Sequence, residues 1–209
     1  RLLREGASGR RVDGAWLSAL EDTLATRGVA IAAARQDMAV RLAAFCAESP
    51  GPFPAAAIGL AGAVEGWLDE GPALAAEDRF RAALAAGRGS DAESGTTATG
   101  PHRSDLVVRD AATGVPADQG STGQQKALLI AIVLASARLQ AAECGSVPLL
   151  LLDEVAAHLD RQRREALFDE LLGLGAQVWM TGTDPEVFRP LAGEAQFMRV
   201  AESALVPAS

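Results

Sequence analysis

Four consecutive leucines, Leu149 to Leu152, run directly into Asp153 and Glu154, and no other stretch constrains the fold as much. A continuous apolar run opened by Pro148 has no polar face to offer water, so it predicts a central parallel strand covered on both sides. Parallel strands need crossover helices, and the downstream pattern supplies them. Arg161 to Leu172 has helical i, i+3, i+4 spacing, Gln177 to Thr181 reads as a strand, Pro185 to Leu191 as a short helix, and Phe197 to Val200 as a last strand. Strand and helix in alternation predict an α/β fold with a doubly wound core.

Upstream, Ala127 to Gln140 is apolar on nearly every face, which predicts a helix buried in the body of a domain. Asp105 to Asp110 reads as a short strand, followed by a turn at Ala112-Thr113-Gly114 and a polar loop up to Ser121. From Asp13, an expected N-cap, to Phe45, the residues Trp16, Leu17, Leu20, Leu24, Ile31, Met38 and Leu42 recur at three- and four-residue steps and predict a long amphipathic helix. Prolines 50, 52 and 54 break it, and a strand is expected within Ala57 to Trp67. Ala73 to Ala86 predicts a second helix ending at Gly87-Arg88-Gly89-Ser90, and the small polar residues 91–99 are expected at the surface or a sheet edge. The expected organisation is a helical arm over 1–48 and a larger domain over 49–209.

With 209 residues, 49% of them apolar, the chain can bury a sizeable core. Its longest apolar run, Ala127 to Ala135, is well short of the ~20 residues that span a bilayer, so no membrane partner is expected and the location is read as cytoplasmic. Cys46 and Cys144 match no metal-binding or disulfide spacing and are expected as small buried hydrophobes. A net charge of −8 argues against coating of nucleic acid by bulk attraction but leaves room for local patches, and arginines gather in the first forty-odd residues, where Arg10 and Arg11 are candidate DNA contacts. The sequence begins at Arg1 rather than methionine and is expected to be a fragment.

Asp153 and Glu154 stand at the C-terminal edge of the predicted strand, where open α/β sheets place their ligands. One carboxylate there can hold Mg²⁺ and the next can position a water for attack on a γ-phosphate; a strand end capping the next turn is the plain alternative. Ser121-Thr122-Gly123-Gln124-Gln125-Lys126 puts a hydroxyl and a glycine at the start of the buried helix, where unpaired amides and the helix dipole form an anion site. Ordinary N-capping accounts for Ser121 alone, but not for the tandem Gly123-Gln124-Gln125 ahead of such a strand.

In order and spacing these pieces resemble the ABC ATPases: Ser121 to Lys126 is similar to the signature motif, Leu149 to Glu154 to Walker B, and His158-Leu159-Asp160 to the D-loop. Gly100-Pro101-His102-Arg103-Ser104-Asp105 and the Thr181-Gly182-Thr183-Asp184 turn resemble the RecF family of that class. For His102 the plain alternative is a turn histidine bonded to nearby backbone, and for Arg103 and Asp105 a local ion pair.

The resemblance implies a P-loop NTPase-like head that dimerises around two ATP molecules. Ser121, Gly123 and Gln124 would then reach the nucleotide held by the other subunit, Asp153 would serve Mg²⁺, Glu154 would orient or deprotonate the water, and Asp160 would sit at the dimer interface. The sensor position falls on Thr181 or Thr183. A GxxxxGK[ST] loop is absent from these residues, and Lys126 is the only lysine, so the chain alone is not expected to bind ATP tightly. For the intact protein the resemblance implies slow ATP hydrolysis, ATP-dependent binding to gapped DNA or single-strand/double-strand junctions, RecR and RecO as partners, and a role in recombinase loading and the SOS response. Two rival readings are a non-enzymatic adaptor that binds protein partners through a half-head, and another ABC-class chromosome ATPase; the latter needs long heptad arms, longer than the helical span here.

Overall fold

The computed structural model describes residues 3, 13–48, 51–157 and 159–207. The chain forms two compact units, one of residues 1–47 and 56–116, the other of 48–55 and 117–209. This division differs from a break near residue 48, because the first helix packs with the segments that follow it.

In the first unit, α1 (Gly14–Ala47) starts where Asp13 accepts the Ala15 amide at 2.9 Å, as the N-cap expectation required. The face it buries is not the one its large side chains predicted. Ala25, Val29 and Ala32 are buried with Gly28, whereas Trp16, Leu24, Ile31 and Met38 stay exposed. Small residues let the neighbouring helix come close: a Cβ on Gly28 would collide with the ring of Phe80. That ring sits on α3 (Ala73–Ser94), in a core shared with Val64 and Leu84.

α3 runs through Gly87-Arg88-Gly89-Ser90 and stops only at Gly95, whose φ of 74° provides a left-handed cap. Tertiary bonds overrule the glycines. Arg88 makes two 2.6 Å bonds to the carboxylate of Glu21 on α1, and buried Asp91 accepts the Ala98 amide at 3.0 Å. The Glu21 hydrogen bond raises the Arg88 pKa above its ordinary value.

The expected strand appears as β1 (Ala56–Ala61), followed by α2 (Ala63–Glu70), which contains Trp67. β1 pairs antiparallel with β2 (Asp105–Asp110), with Ala56 opposite Asp110 and Ala61 opposite Asp105. Beyond β2, Asp110 accepts from the amide and hydroxyl of Thr113 and from the Ala112 amide, and these bonds hold its carboxyl below the ordinary value.

The second unit is built on α4 (Thr122–Cys144), β3 (Leu150–Leu152), α5 (Arg161–Leu174) and β4 (Val178–Met180). β3 and β4 are parallel, joined by α5, with Leu150 opposite Val178 and Leu152 opposite Met180. This is a single βαβ unit, short of the doubly wound core expected from the alternation, because the parallel sheet among the described residues has two strands. A 3₁₀ segment (Pro185–Leu191) follows, then β5 (Met198–Ala201) and β6 (Ala204–Pro207), which pair with each other as an antiparallel hairpin in a sheet of their own.

Leu134 on α4, Leu167, Phe168 and Leu171 on α5, and Leu150 and Val155 form the core of this unit. α4 is long and apolar enough to cross a membrane by length and composition, beyond what its continuous apolar run suggested. Its Ala127, Ala131, Leu134 and Ala135 are instead buried among protein side chains, as in any core helix.

The expectation of a β3 covered on both faces is corrected. Leu150 is 8% exposed against the core, but Leu151, paired with Trp179, is 72% exposed on the other side. Alternation along a strand sends neighbours to opposite faces, and only the Leu150 face packs into the core with α4 and α5. Cys46 is buried as expected, whereas Cys144, the last residue of α4, is exposed.

Candidate active site

β3 ends at Leu152, whose carbonyl accepts the Thr181 amide at 3.1 Å and extends the parallel ladder past β4. That pairing places Thr181 beside the residues that follow β3. The Thr181 hydroxyl donates to Asp153 Oδ1 and accepts the Glu154 amide at 3.0 Å. Asp153, Glu154 and Thr181 therefore form one hydrogen-bonded group at the carboxyl end of the parallel pair.

Glu154 has φ +47°, in the left-handed region that a residue with a side chain enters at a cost of about 1–2 kcal/mol. The turn is fixed on its other side by Lys126, whose Nζ donates to the carbonyls of Glu154 and Ala157 at 2.6 Å each. Lys126, half-buried, lies in the second turn of α4, so the start of that helix and the turn after β3 are directly joined.

The N-terminus of α4 carries a complete capping box. Ser121 Oγ accepts the Gln124 amide at 3.3 Å, and the Gln124 side chain accepts the Ser121 amide at 2.8 Å. Gln125 donates to the carbonyls of Asp118 and Gly120, tying the preceding 3₁₀ turn (Ala117–Gln119) to the helix. A Cβ on Gly123 would meet nothing within 4 Å, so no packing inside this unit requires a glycine there.

Asp160 caps α5 by accepting the Arg163 amide at 2.8 Å. Its neighbour His158 lies outside the described residues, as do Arg10 and Arg11. Of the two sensor candidates, Thr181 bonds the Asp153 carboxylate and the Glu154 amide, and Thr183 is exposed in the turn beyond. Gly182 between them is needed because a Cβ there would strike the ring of Phe188.

His102, Arg103 and Asp105 belong to the first unit. His102 Nε2 lies 2.8 Å from the Thr97 carbonyl, the backbone-bonded turn histidine of the plain alternative. Arg103 donates to Thr97 O and Thr96 Oγ1 rather than to Asp105, which caps its own strand through the Leu106 amide. Ser104 Oγ is 2.7 Å from both carboxylate oxygens of Glu65, which is 1% exposed. The turn also receives the Arg35 guanidinium on the Pro101 carbonyl. Sequence reasoning singled out the turn but not these partners, because Glu65 and Arg35 are distant in the chain and match no motif.

Residues 36–184 match the family model described as "AAA domain, putative AbiEii toxin, Type IV TA system". Over 209 residues the chain is 49% identical to the "DNA replication and repair protein RecF" of Mesorhizobium japonicum, covering 99% of this chain and 54% of that protein. The protein of the same name from Rhizobium etli is 47% identical over 204 residues, 97% of this chain and 53% of that one. The chain belongs to the RecF family of AAA-type domains.

This RecF-family chain spans about half the length of the relatives it matches. In fold it is similar to a solved structure described as "Structure of the recombination mediator protein RecF-ATPrS in RecFOR pathway", with a TM-score of 0.73 at 18% identity over 99% of this chain and 54% of that one. A second, described as RecF-ATP in the same pathway, gives 0.64 at 22% identity over 82% of this chain and 47% of that one. The fold is thus P-loop ATPase-like, with the helical arm the sequence predicted.

Proposed function

We propose that this RecF-family chain is the half of a DNA replication and repair ATPase that supplies the hydrolytic carboxylate and the signature helix. The observation that carries the reading is the group Asp153, Glu154 and Thr181, held by shared hydrogen bonds at the carboxyl end of β3. The names of its relatives point the same way.

In this reading Glu154 orients or deprotonates the attacking water, and Thr181 holds the Glu154 amide in place and senses the phosphate through its hydroxyl. Thr183 is the second sensor candidate. Ser121, Gly123 and Gln124 contact the nucleotide of a second subunit in an ATP-dependent homodimer, where the open space over Gly123 admits a close approach. Asp160 faces the partner at the dimer interface.

Among the described residues no group of three or more His, Cys, Asp or Glu is placed to hold a metal. Mg²⁺ bound with a nucleotide takes one or two carboxylates and completes its shell with phosphate and water oxygens. Exposed Asp153 fits as that carboxylate, and the ion would neutralise charge on the β- and γ-phosphates.

The open face of the parallel pair fits the same reading. Leu149, Leu151, Trp179 and Leu129 are exposed, and a cavity of ≈ 150 Å³ is lined by Leu129, Val133 and Leu151 together with Lys126 and Asp153. We assign this face to the remaining half of the head, which the relatives' greater length provides.

For the whole protein we propose slow ATP hydrolysis coupled to head dimerisation, ATP-dependent binding to gapped DNA or single-strand/double-strand junctions, RecR and RecO as partners, and cytoplasmic action in recombinase loading and the SOS response. The test is fluorescence anisotropy of the full-length protein on gapped and on uninterrupted duplex, with and without ATP. Tighter binding to gapped DNA only with ATP is expected. Binding indifferent to ATP and to the gap would favour the protein-binding adaptor.

A further inference from the structure

The turn after β3 holds Glu154 in a left-handed conformation, and both polar groups of its backbone are taken: the amide by Thr181, the carbonyl by Lys126. Lys126 also takes the Ala157 carbonyl, at the same 2.6 Å, so one ammonium spans the turn. This is an unusual use of charge. Its flanking cavity is lined by Leu129, Ile130 and Val133 as well as Asp153, so the ammonium is held among mostly apolar neighbours by its two carbonyls, at a desolvation cost that those bonds offset.

A compact ammonium with three donors can bond two carbonyls that lie three residues apart, which a rigid planar guanidinium does poorly. The chain has a single lysine, and it stands at this position. Because α4 begins at the Ser121 cap, one side chain joins the first turns of that helix to the Glu154 turn.

We propose that Lys126 is a positioning residue for hydrolysis: by clamping the Glu154 and Ala157 carbonyls, it sets the Glu154 carboxylate relative to the signature helix. The proposal rests on the reading of Glu154 as the water-orienting group. It assigns to Lys126 no contact with nucleotide in its own subunit, so its loss should slow turnover without weakening ATP binding.

The test is steady-state ATP hydrolysis by the full-length protein carrying Lys126→Met, with Glu154→Gln measured alongside. The expected result is a kcat lower by about 10- to 100-fold, the scale of a small misplacement of a catalytic group, with KM for ATP unchanged. Wild-type kcat, or a loss that appears wholly in KM, overturns the proposal. If Glu154→Gln hydrolyses like wild type, the reading of the site itself fails; if Glu154→Gln is inactive and Lys126→Met is not impaired, only the role of Lys126 fails. Should Lys126→Met not fold, Lys126→Leu, which likewise has no donor, is judged by the same criteria.

Discussion

The Thr181 hydroxyl accepts the Glu154 amide at 3.0 Å and gives its own hydrogen to Asp153, so one side chain on the far strand fixes both carboxylate residues. Thr181→Val keeps the shape and removes both bonds. In the full-length protein it should lower kcat for ATP by about 10- to 100-fold, while Thr181→Ser stays near wild type. Equal turnover by the valine variant would detach Thr181 from the chemistry.

Glu154 occupies its left-handed conformation at a conformational cost that glycine would not bear. Glu154→Gly should therefore be more stable than Glu154→Ala by about 1 kcal/mol in denaturant unfolding, with both variants inactive. If alanine is tolerated as well as glycine, the turn is relaxed and the strain is not real.

Ser121 both caps α4 and is proposed to meet a partner's nucleotide, and the two roles can be separated. Aspartate is as good a cap, so Ser121→Asp should leave thermal stability unchanged, whereas Ser121→Ala loses about 1 kcal/mol. The added negative charge would repel a γ-phosphate, so Ser121→Asp should also abolish ATP-dependent dimerisation. Dimerisation intact in Ser121→Asp would reduce Ser121 to a cap.

Arg88 and Glu21 join α3 to α1, with side-chain exposures of 33% and 10%. Arg88→Met strands the Glu21 carboxylate and should cost about 2 kcal/mol, trimmed by the solvent that reaches the arginine. Unfolding curves of the single variants and of Glu21→Gln/Arg88→Met close the cycle. A fully additive double variant would show that the pair contributes nothing.

The parts of the fold legible in the sequence are those where local pattern and tertiary environment agree. The strand within Leu149 to Leu152, the α5 spacing and the Asp105 to Asp110 strand all appeared where they were read: Leu150 of β3 and Leu167, Phe168 and Leu171 of α5 face the core of the second unit, while β2 is fixed by its register with β1. α1 was legible as a helix but not in its orientation. Hydrophobic periodicity favours Trp16, Leu24 and Ile31, while the buried seam uses Gly28, Ala25 and Ala32, which close packing selects for small size. α3 outran its glycines for a similar reason, since the Arg88 and Asp91 partners lie far off in sequence.

At the site, the residue types and their order were legible, because a strand end and a helix start are local features. Their connections were not. Lys126 reaches across 28 residues to Glu154, and Thr181 across 27, and no motif encodes either bond.

If Glu154 serves an ATP site completed by a second subunit's signature helix, ATP must bring two full-length molecules together. Sedimentation of the full-length protein and its Glu154→Gln variant, with and without ATP, reads this. ATP is expected to drive both to dimers, transient in wild type as ATP is consumed and persistent in Glu154→Gln. Monomers under every condition, or a dimer indifferent to ATP and to Glu154→Gln, would contradict it.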